Sequence, residues 1–569
     1  MSKRRSLLPL PDLSTTLLGS AAVALLLGTA GPLAAQSSAW DPETMAPAPV
    51  DGRSTVYAPN GMVATSQPLA SEAALRILRQ GGNAFDAAVA ASAVLSLVEP
   101  HMTNVGGDLF ALGWSADQGR MVGLDASGRA GSLMTPERIR EDGFDDIPYR
   151  GAGSVTVPGA VAGWEALVEE HGNLSLTDVL APAIELAEGG FPVSPIIARQ
   201  WGNLTGVLED DEGATATYLI DGEAPEAGEW FRNPDLAGTL RMIADGGADA
   251  FYRGDFGAEL ADGIRELGGY LTPDDMAAME ADWIEPLSVD YRGWTIWELP
   301  PAGQGIAALQ MFELLEPFDL ASMGHNSPQY LHHLIEAKKV AFADLAHVSD
   351  RDYLEVRPEE LLDPAYLDER RELIDPTHAS EQPEPGDFAT STETVYLSIG
   401  DSEGNMISFI HSIYEYFGSG VVVPGTGFVL QNRGAGFDIE EGPNQVAPGK
   451  RPFHTLIPGF VTRDGEPYMA FGVMGGSMQP QGHVQLVLNM LEFGMDPQEA
   501  VDAARFRHRG GLRVSVENLT PELRLALAAM GHEPGGNPAF GGAQVVIRLP
   551  GGGYAGASDA RKDGLAIGH

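Results

Sequence analysis

Two hydroxyl side chains sit where a nucleophile could be made, Thr394 and Ser402. Thr394 precedes Val395-Tyr-Leu-Ser-Ile399, where Val395, Leu397 and Ile399 alternate with Tyr396 and Ser398. Asp401-Ser-Glu-Gly-Asn405 then reads as a turn, and Met406–Ile413 as a second run of β-branched and aromatic residues. The pattern predicts a β-hairpin with Thr394 at the head of its first strand. Ser402 is the centre of Gly400-Asp-Ser-Glu-Gly404, which fits the G-x-S-x-G elbow. That elbow must lead into a helix, and Met406–Ile410 reads as strand, so Ser402 is read as a turn residue. A Thr hydroxyl is a weak nucleophile at neutral pH and needs a base beside it. A free α-amino group, with a pKa of about 7.7–8.0, is such a base, and on the same residue its proximity is fixed.

The Thr394 segment resembles the autocleavage and catalytic segment of the gamma-glutamyltransferase family. Thr394, Leu397-Ser398-Ile399, Asp401, Gly404-Asn405 and Phe417-Gly418-Ser419-Gly420 match it in order and spacing. Gly81-Gly-Asn-Ala-Phe-Asp-Ala-Ala-Val-Ala90 followed by Asn104-Val-Gly-Gly107 is similar to the family's N-terminal signature. Pro300-Pro-Ala-Gly-Gln-Gly305, Met469–Gly476 and Ala555–Lys562 extend the likeness across about residues 58–569. The resemblance implies an N-terminal-nucleophile hydrolase of α+β class, an αββα sandwich with two central antiparallel sheets flanked by helices. It implies a precursor that cuts itself between Glu393 and Thr394, leaving a large chain, residues 36–393, and a small chain, residues 394–569, as a heterodimer. Thr394 would be nucleophile and, through its new amino group, base. Ser412 stands where the family has a supporting Thr, and Gly475-Gly476 where it has the backbone donors that hold the oxyanion.

Four departures concern the substrate. The family's Asp-x-Arg-Glu element, whose Arg grips the glutamyl α-carboxylate, is here Asp125-Ala-Ser127-Gly-Arg129, so Ser127 replaces that Arg. The Asn-Asn-Gln-x-x-Asp element that helps hold the α-amino group is Gln431-Asn-Arg433-Gly-Ala-Gly436. The paired serines after Lys-Arg-Pro are His454-Thr455, and the strand Thr is Ser412. A bidentate cation and an acidic acceptor have gone, while Arg129 and Arg433 are new cations that could clamp a carboxylate in another pose or serve as structural ion pairs. The resemblance implies a small-molecule amide substrate, first a γ-glutamyl amide such as glutathione, hydrolysed or transferred through an acyl-enzyme. Another small acidic amide, of oxamate or cephalosporin-acylase type, is the alternative within the class; an exported binding protein without chemistry is the alternative outside it. No cofactor is expected.

Zero cysteines exclude disulfides, thiol catalysis and Cys-ligated metal. The net charge of −44, from 79 acidic against 35 basic residues, repels nucleic acid and anionic membranes. Lys3-Arg4-Arg5, the apolar Leu17–Leu27 stretch and Leu33-Ala-Ala35 read as an export signal over residues 1–35, which predicts a periplasmic or secreted protein with no membrane anchor once the signal is removed. Gly61–Thr65 is expected as a strand. Ala70, Ala73, Ala74, Ile77 and Leu78 lie on a helix stopped at Gly81-Gly82, and Asn83 with Asp86 caps an all-apolar helix over 84–98. Residues 130–390 read as mostly helical, including 160–171, 176–189, 234–245 and 329–350, and 481–493 follows as a helix. His332 and His333 are read as helix-face histidines, with no metal site. The Pro- and Glu-rich stretch 375–389 reads as a flexible linker to the cleavage point, and the loop to Pro448 as a lid.

Overall fold

Val395–Gly400 pairs antiparallel with Met406–Ser412, from Val395 opposite His411 to Gly400 opposite Met406, and both strands are wholly buried. This is the expected hairpin in a computed structural model that describes residues 52–381, 394–536 and 540–569. The turn is built by its own side chains. Asp401 accepts hydrogen bonds at Oδ1 from the amides of Glu403 and Asn405, and Gly404 takes φ 95° to close it. The other oxygen of Asp401 accepts from the Ala84 amide, at 2.8 Å. The turn is thereby fixed to the start of the helix Ala84–Val98, every residue of which is buried. A strand, not a helix, follows Ser402, so the elbow geometry is not formed.

The hairpin occupies the middle of a seven-stranded sheet ordered Leu565–Gly568, Met62–Thr65, Val395–Gly400, Met406–Ser412, Asp108–Ser115, Arg120–Ala126 and Asp282–Ile284. A second seven-stranded sheet runs Val56–Ala58, Tyr554–Ser558, Ala543–Arg548, Glu466–Val473, Gly459–Arg463, Trp294–Glu298 and Leu287–Tyr291. All neighbours in both are antiparallel. The sheets pack face to face. The Tyr396 ring lies where a Cβ on Gly472 would come within 2.4 Å, and its hydroxyl is shared with Ser398 and Ser408 at 2.7 Å each. Pro68–Arg79, Ala84–Val98 and Ala160–His171 cover the hairpin's sheet, while Gly305–Leu315 and Met478–Leu491 cover the other. The fold is the expected αββα sandwich.

The capping box of Asn83 and Asp86 is present, because an apolar helix entering a core needs its first amides satisfied locally. The helical reading of 130–390 passed over five strands, the two-residue pair Phe191–Pro192 and Trp230–Phe231 and then Asp282–Ile284, Leu287–Tyr291 and Trp294–Glu298, whose short runs carry little periodicity of their own and are set by sheet neighbours. The helix begun at Pro234 continues to Tyr252 through a break at Gly247, and the later one spans Pro328–Ala343 before a 3₁₀ turn. The described beginning of the expected linker is tied down: His332 Nε2 bonds the Asp375 carbonyl at 2.7 Å and Ala379 donates to the Met530 carbonyl. Residues 1–35, the rest of that linker and Glu393 lie outside the described residues. Among those described, no helix is long and apolar enough to cross a membrane.

Candidate active site

Thr394 is fully buried, and its Oγ1 has no hydrogen-bond partner among the described residues. Extending the hairpin register by one step sets Thr394 across from Ser412, and Ser412 is in turn the partner of Asp108 in the next strand. The three residues therefore lie in one row across the sheet. Ser412 Oγ accepts from the Tyr414 amide at 2.8 Å and lies 3.5 Å from Arg433 Nη2.

Arg433 is the central cation of this site. Its side chain is fully buried, donates through Nη1 to Thr455 Oγ1 at 3.1 Å, and stacks its guanidinium 4.3 Å from the Tyr414 ring centroid. Its Nε has no acceptor among the described residues and stands 3.9 Å from Asp108 Oδ2. Burial draws the guanidinium down to about 10, against the pull of Asp108, so it remains a cation at neutral pH. Asp108 accepts from the Gly128 amide at 2.8 Å and Gln431 Nε2 at 3.0 Å on one oxygen, and faces His454 Nε2 at 3.1 Å on the other. Burial pushes its carboxyl up to about 7, with Arg433 opposing. Burial and the charges of Arg433 and Arg451 hold His454 well below the usual imidazole range. The ring is therefore neutral, and its Nδ1 is buried without a partner among the described residues.

Gly475 and Gly476 have φ 121° and 58°, conformations that suit glycine, and lie between the strand Glu466–Val473 and the helix Met478–Leu491. Their carbonyls accept the amides of Met478 and Gln479, while their own N–H groups meet no main-chain carbonyl among the described residues. Gln304 Nε2 bridges the carbonyls of Thr455, at 2.8 Å, and Gly476, at 2.9 Å. These contacts join Ser412, Arg433, Thr455 and Gly476, with His454 linked through Asp108, and the register sets Thr394 beside Ser412.

Arg129 is directed elsewhere. Its guanidinium donates to the Gly449 carbonyl at 3.0 Å and stands 3.6–3.9 Å from Asp282, Asp350 and Asp352. Ser127, in the place of the family's Arg, is buried and bonds back to Asp125 at 2.6 Å. Glu393 is outside the described residues. Sequence reasoning did not single out Asp108, Gln304 or Tyr414. Asp108 carried a readable signal, an acid opening the apolar strand Asp-Leu-Phe-Ala-Leu directly after Asn104-Val-Gly-Gly107. His332 does lie on a helix, and the fold brings it together with Glu336 and His532. Their donor atoms fall within 4.8 Å of one another, but each is already engaged: His332 Nδ1 with His532 Nε2, and Glu336 with Lys339 and Ser380.

Comparison with known proteins covers nearly the whole described chain. Residues 70–569 match the family described as Gamma-glutamyltranspeptidase. The glutathione hydrolase-like YwrD proenzyme of Bacillus subtilis is 38% identical over 521 residues, 89% of this chain and 98% of that protein. The oxamate amidohydrolase proenzyme of Klebsiella pneumoniae is 37% identical over 530 residues, 90% of this chain and 98% of that protein. Among solved structures, cephalosporin acylase from Bacillus halodurans superimposes with a TM-score of 0.85 at 42% identity, over 93% of this chain and 99% of that one.

Proposed function

The chain belongs to the gamma-glutamyltranspeptidase family and is an enzyme, and on that footing we propose that it is a self-cleaving amidohydrolase whose nucleophile is Thr394. Cleavage after Glu393 frees the α-amino group of Thr394, which takes the hydroxyl proton as Oγ1 attacks the amide carbonyl. The N–H groups of Gly475 and Gly476 receive the oxyanion. The amine leaves with the proton and water then releases the acyl group, or a second amine takes it in transfer. Ser412 supports the nucleophile from across the hairpin. The names of the relatives as proenzymes support maturation from a precursor, and the two chains so formed would stay together as a heterodimer.

The observation that carries the substrate class is Arg433, a buried cation beside Ser412 with a donor that has no acceptor among the described residues. It suits an acyl group that ends in a carboxylate, with His454 and Thr455 completing the pocket; Arg129 is assigned to the scaffold. γ-Glutamyl amides such as glutathione belong to this class. A compact acidic amide is the second reading, favoured because Ser127 and Gly436 leave no counterpart to the family's α-carboxylate Arg and α-amino acceptor. The basic and apolar residues 1–35 support export to the periplasm or medium.

Intact mass and N-terminal sequencing of the protein beside Thr394→Ala is the test. Two chains, the smaller beginning Thr394-Val-Tyr-Leu, and an uncut variant are expected. A single uncut chain in both samples would overturn the reading. Hydrolysis of glutathione, oxamate and glutaryl amides then ranks the substrates.

A further inference from the structure

Outside this site, one buried titratable pair has no assigned task. Glu298 ends the strand Trp294–Glu298 and His483 lies on the helix Met478–Leu491, with Oε1 and Nδ1 2.7 Å apart and both side chains fully buried. Glu298 Oε2 and His483 Nε2 have no partner among the described residues. Burial raises the carboxyl well above its usual range and presses the imidazole down to about 3, so the two form a neutral pair joined by a hydrogen bond. Phe471 packs against the imidazole, ring centroids 5.0 Å apart. At Gly305 a Cβ would lie 2.9 Å from the Glu298 Cβ and 3.2 Å from Oε2, so the glutamate fits against the start of the helix Gly305–Leu315 only because that position is glycine.

The two residues stand at the bases of two elements that meet again at Gly476. From Glu298 the chain runs through Pro300 and Pro301 to Gln304, whose Nε2 holds the Gly476 carbonyl at 2.9 Å. From His483 the helix runs back to its first turn, where the Gln479 amide holds the same carbonyl, also at 2.9 Å, and the Met478 amide holds that of Gly475. Each peptide unit is planar, so the Met478 bond to the Gly475 carbonyl sets the direction of the Gly476 N–H, while the two bonds to the Gly476 carbonyl fix the plane that follows and leave only the soft dihedrals of Gly476 between them. We propose that Glu298 and His483 are a positioning pair which, by cross-linking these two elements, aims the Gly476 amide at the acyl oxygen during amide cleavage. A buried polar pair with two orphaned atoms is a poor source of stability compared with apolar packing of equal volume. A small tilt of preorganised donors costs rate out of proportion to its size. The proposal rests on the oxyanion role given above to the glycine pair.

The test is steady-state kinetics of the mature two-chain enzyme on γ-glutamyl-p-nitroanilide and glutaryl-p-nitroanilide, comparing wild type with Glu298→Met, His483→Phe and Glu298→Gln. The first two keep the volume and remove the bond. They are expected to lower kcat by roughly tenfold or more, with KM changed less than about twofold and chain cleavage still complete. Glu298→Gln, which can still bond Nδ1, is expected to recover most of kcat. If one volume-matched variant does not fold, the other carries the comparison. Unchanged kcat in a folded variant, or a loss confined to thermal stability, would overturn the proposal, as would a Glu298→Gln no better than Glu298→Met. If the wild type neither cleaves itself nor turns over either anilide, it is the Thr394 reading that fails.

Discussion

Two groups of arginines and acids lie near one another in the chain's folded core, and they differ in how completely they are matched. In the first, Arg129, Arg351 and Arg451 share Asp125, Asp282 and Asp350. Asp125 takes Ser127 on one oxygen and Arg351 on the other, Asp282 takes Arg351 and Arg451, and Asp350 takes the Arg451 amide. In the second, Arg433 stands alone with Asp108, whose carboxyl sits near 7, and with a neutral His454. Here Thr394 Oγ1, Arg433 Nε, His454 Nδ1 and Gln431 Oε1 are all buried and without partners among the described residues. The first cluster joins elements through acids that each take more than one donor, and leaves only Arg451 Nη1 open among the described residues. Buried polar atoms left open carry a desolvation cost, and a site that recovers it on binding is the economical explanation.

The comparison breaks most decisively at Thr394. Thr394→Ala is expected to abolish both self-cleavage and turnover, whereas Thr394→Ser should retain some of each, since it keeps the hydroxyl. Mass spectrometry and an amide assay separate the two variants. Next in size is Arg433. Arg433→Ala should raise KM for a carboxylate-bearing amide by roughly tenfold to a hundredfold, the worth of one charge-assisted hydrogen bond. Arg433→Lys should restore only part, because a point charge does not reproduce the planar fork. Equal KM in wild type and Arg433→Ala would remove the argument for an acidic acyl group.

How far the sequence led follows the same division. The hairpin was legible because alternation and a turn of Asp, Gly and Asn are local signals, and the helix 84–98 because its cap and its apolar run adjoin. The strands between 282 and 298 were not legible, since each is three to five residues long and owes its conformation to distant partners such as Gly459–Arg463. Within the site, Arg433, His454 and Thr455 stood out because they break a recognisable pattern. Arg129 stood out for the same reason, but which carboxylate an arginine meets is decided by the fold. Gln304 went unmarked because an isolated polar residue in a proline turn has no spacing to betray a role, and Asp108 because its one signal, the place directly after Gly106-Gly107, says nothing of the partners it meets. Their partners lie 323 residues away, for the bond of Asp108 to Gln431, and 172, for that of Gln304 to Gly476.

Asp108 sharpens the contrast through pH. Its folded pKa of about 7 exceeds the ordinary 3.8, chiefly by burial and with Asp125 adding to it, while Arg433 and the hydrogen bonds from Gly128 and Gln431 oppose. The folded state therefore holds this proton between those values while the unfolded chain has lost it. Its contribution to stability is complete below about pH 4 and is lost as pH rises through 7. Wild-type thermal midpoints should accordingly fall between pH 5 and pH 8 by more than those of Asp108→Asn, which has no proton to release. Parallel profiles for the two proteins would mean that Asp108 is ionised throughout and that Arg433 is fully compensated.

The smallest effect is expected at Arg129. Its side chain is 34% exposed, its three acids stand no closer than 3.6 Å, and its one short contact is to a carbonyl. Pairs of this kind contribute about 0–1 kcal/mol, because solvent screens the charges and ordering a long side chain costs entropy. Asp282 and Asp350 also keep Arg451 when Arg129 is removed, so no buried acid is left unpaired. Arg129→Ala should leave KM within about twofold of wild type and should lower stability by no more than about 1 kcal/mol, read from denaturant midpoints. A large rise in KM with unchanged stability would move Arg129 from the matched cluster into the site. The acyl pocket would then have to extend past Gly128 toward Gly449, and the substrate would carry its carboxylate farther from the scissile bond than Arg433 alone allows.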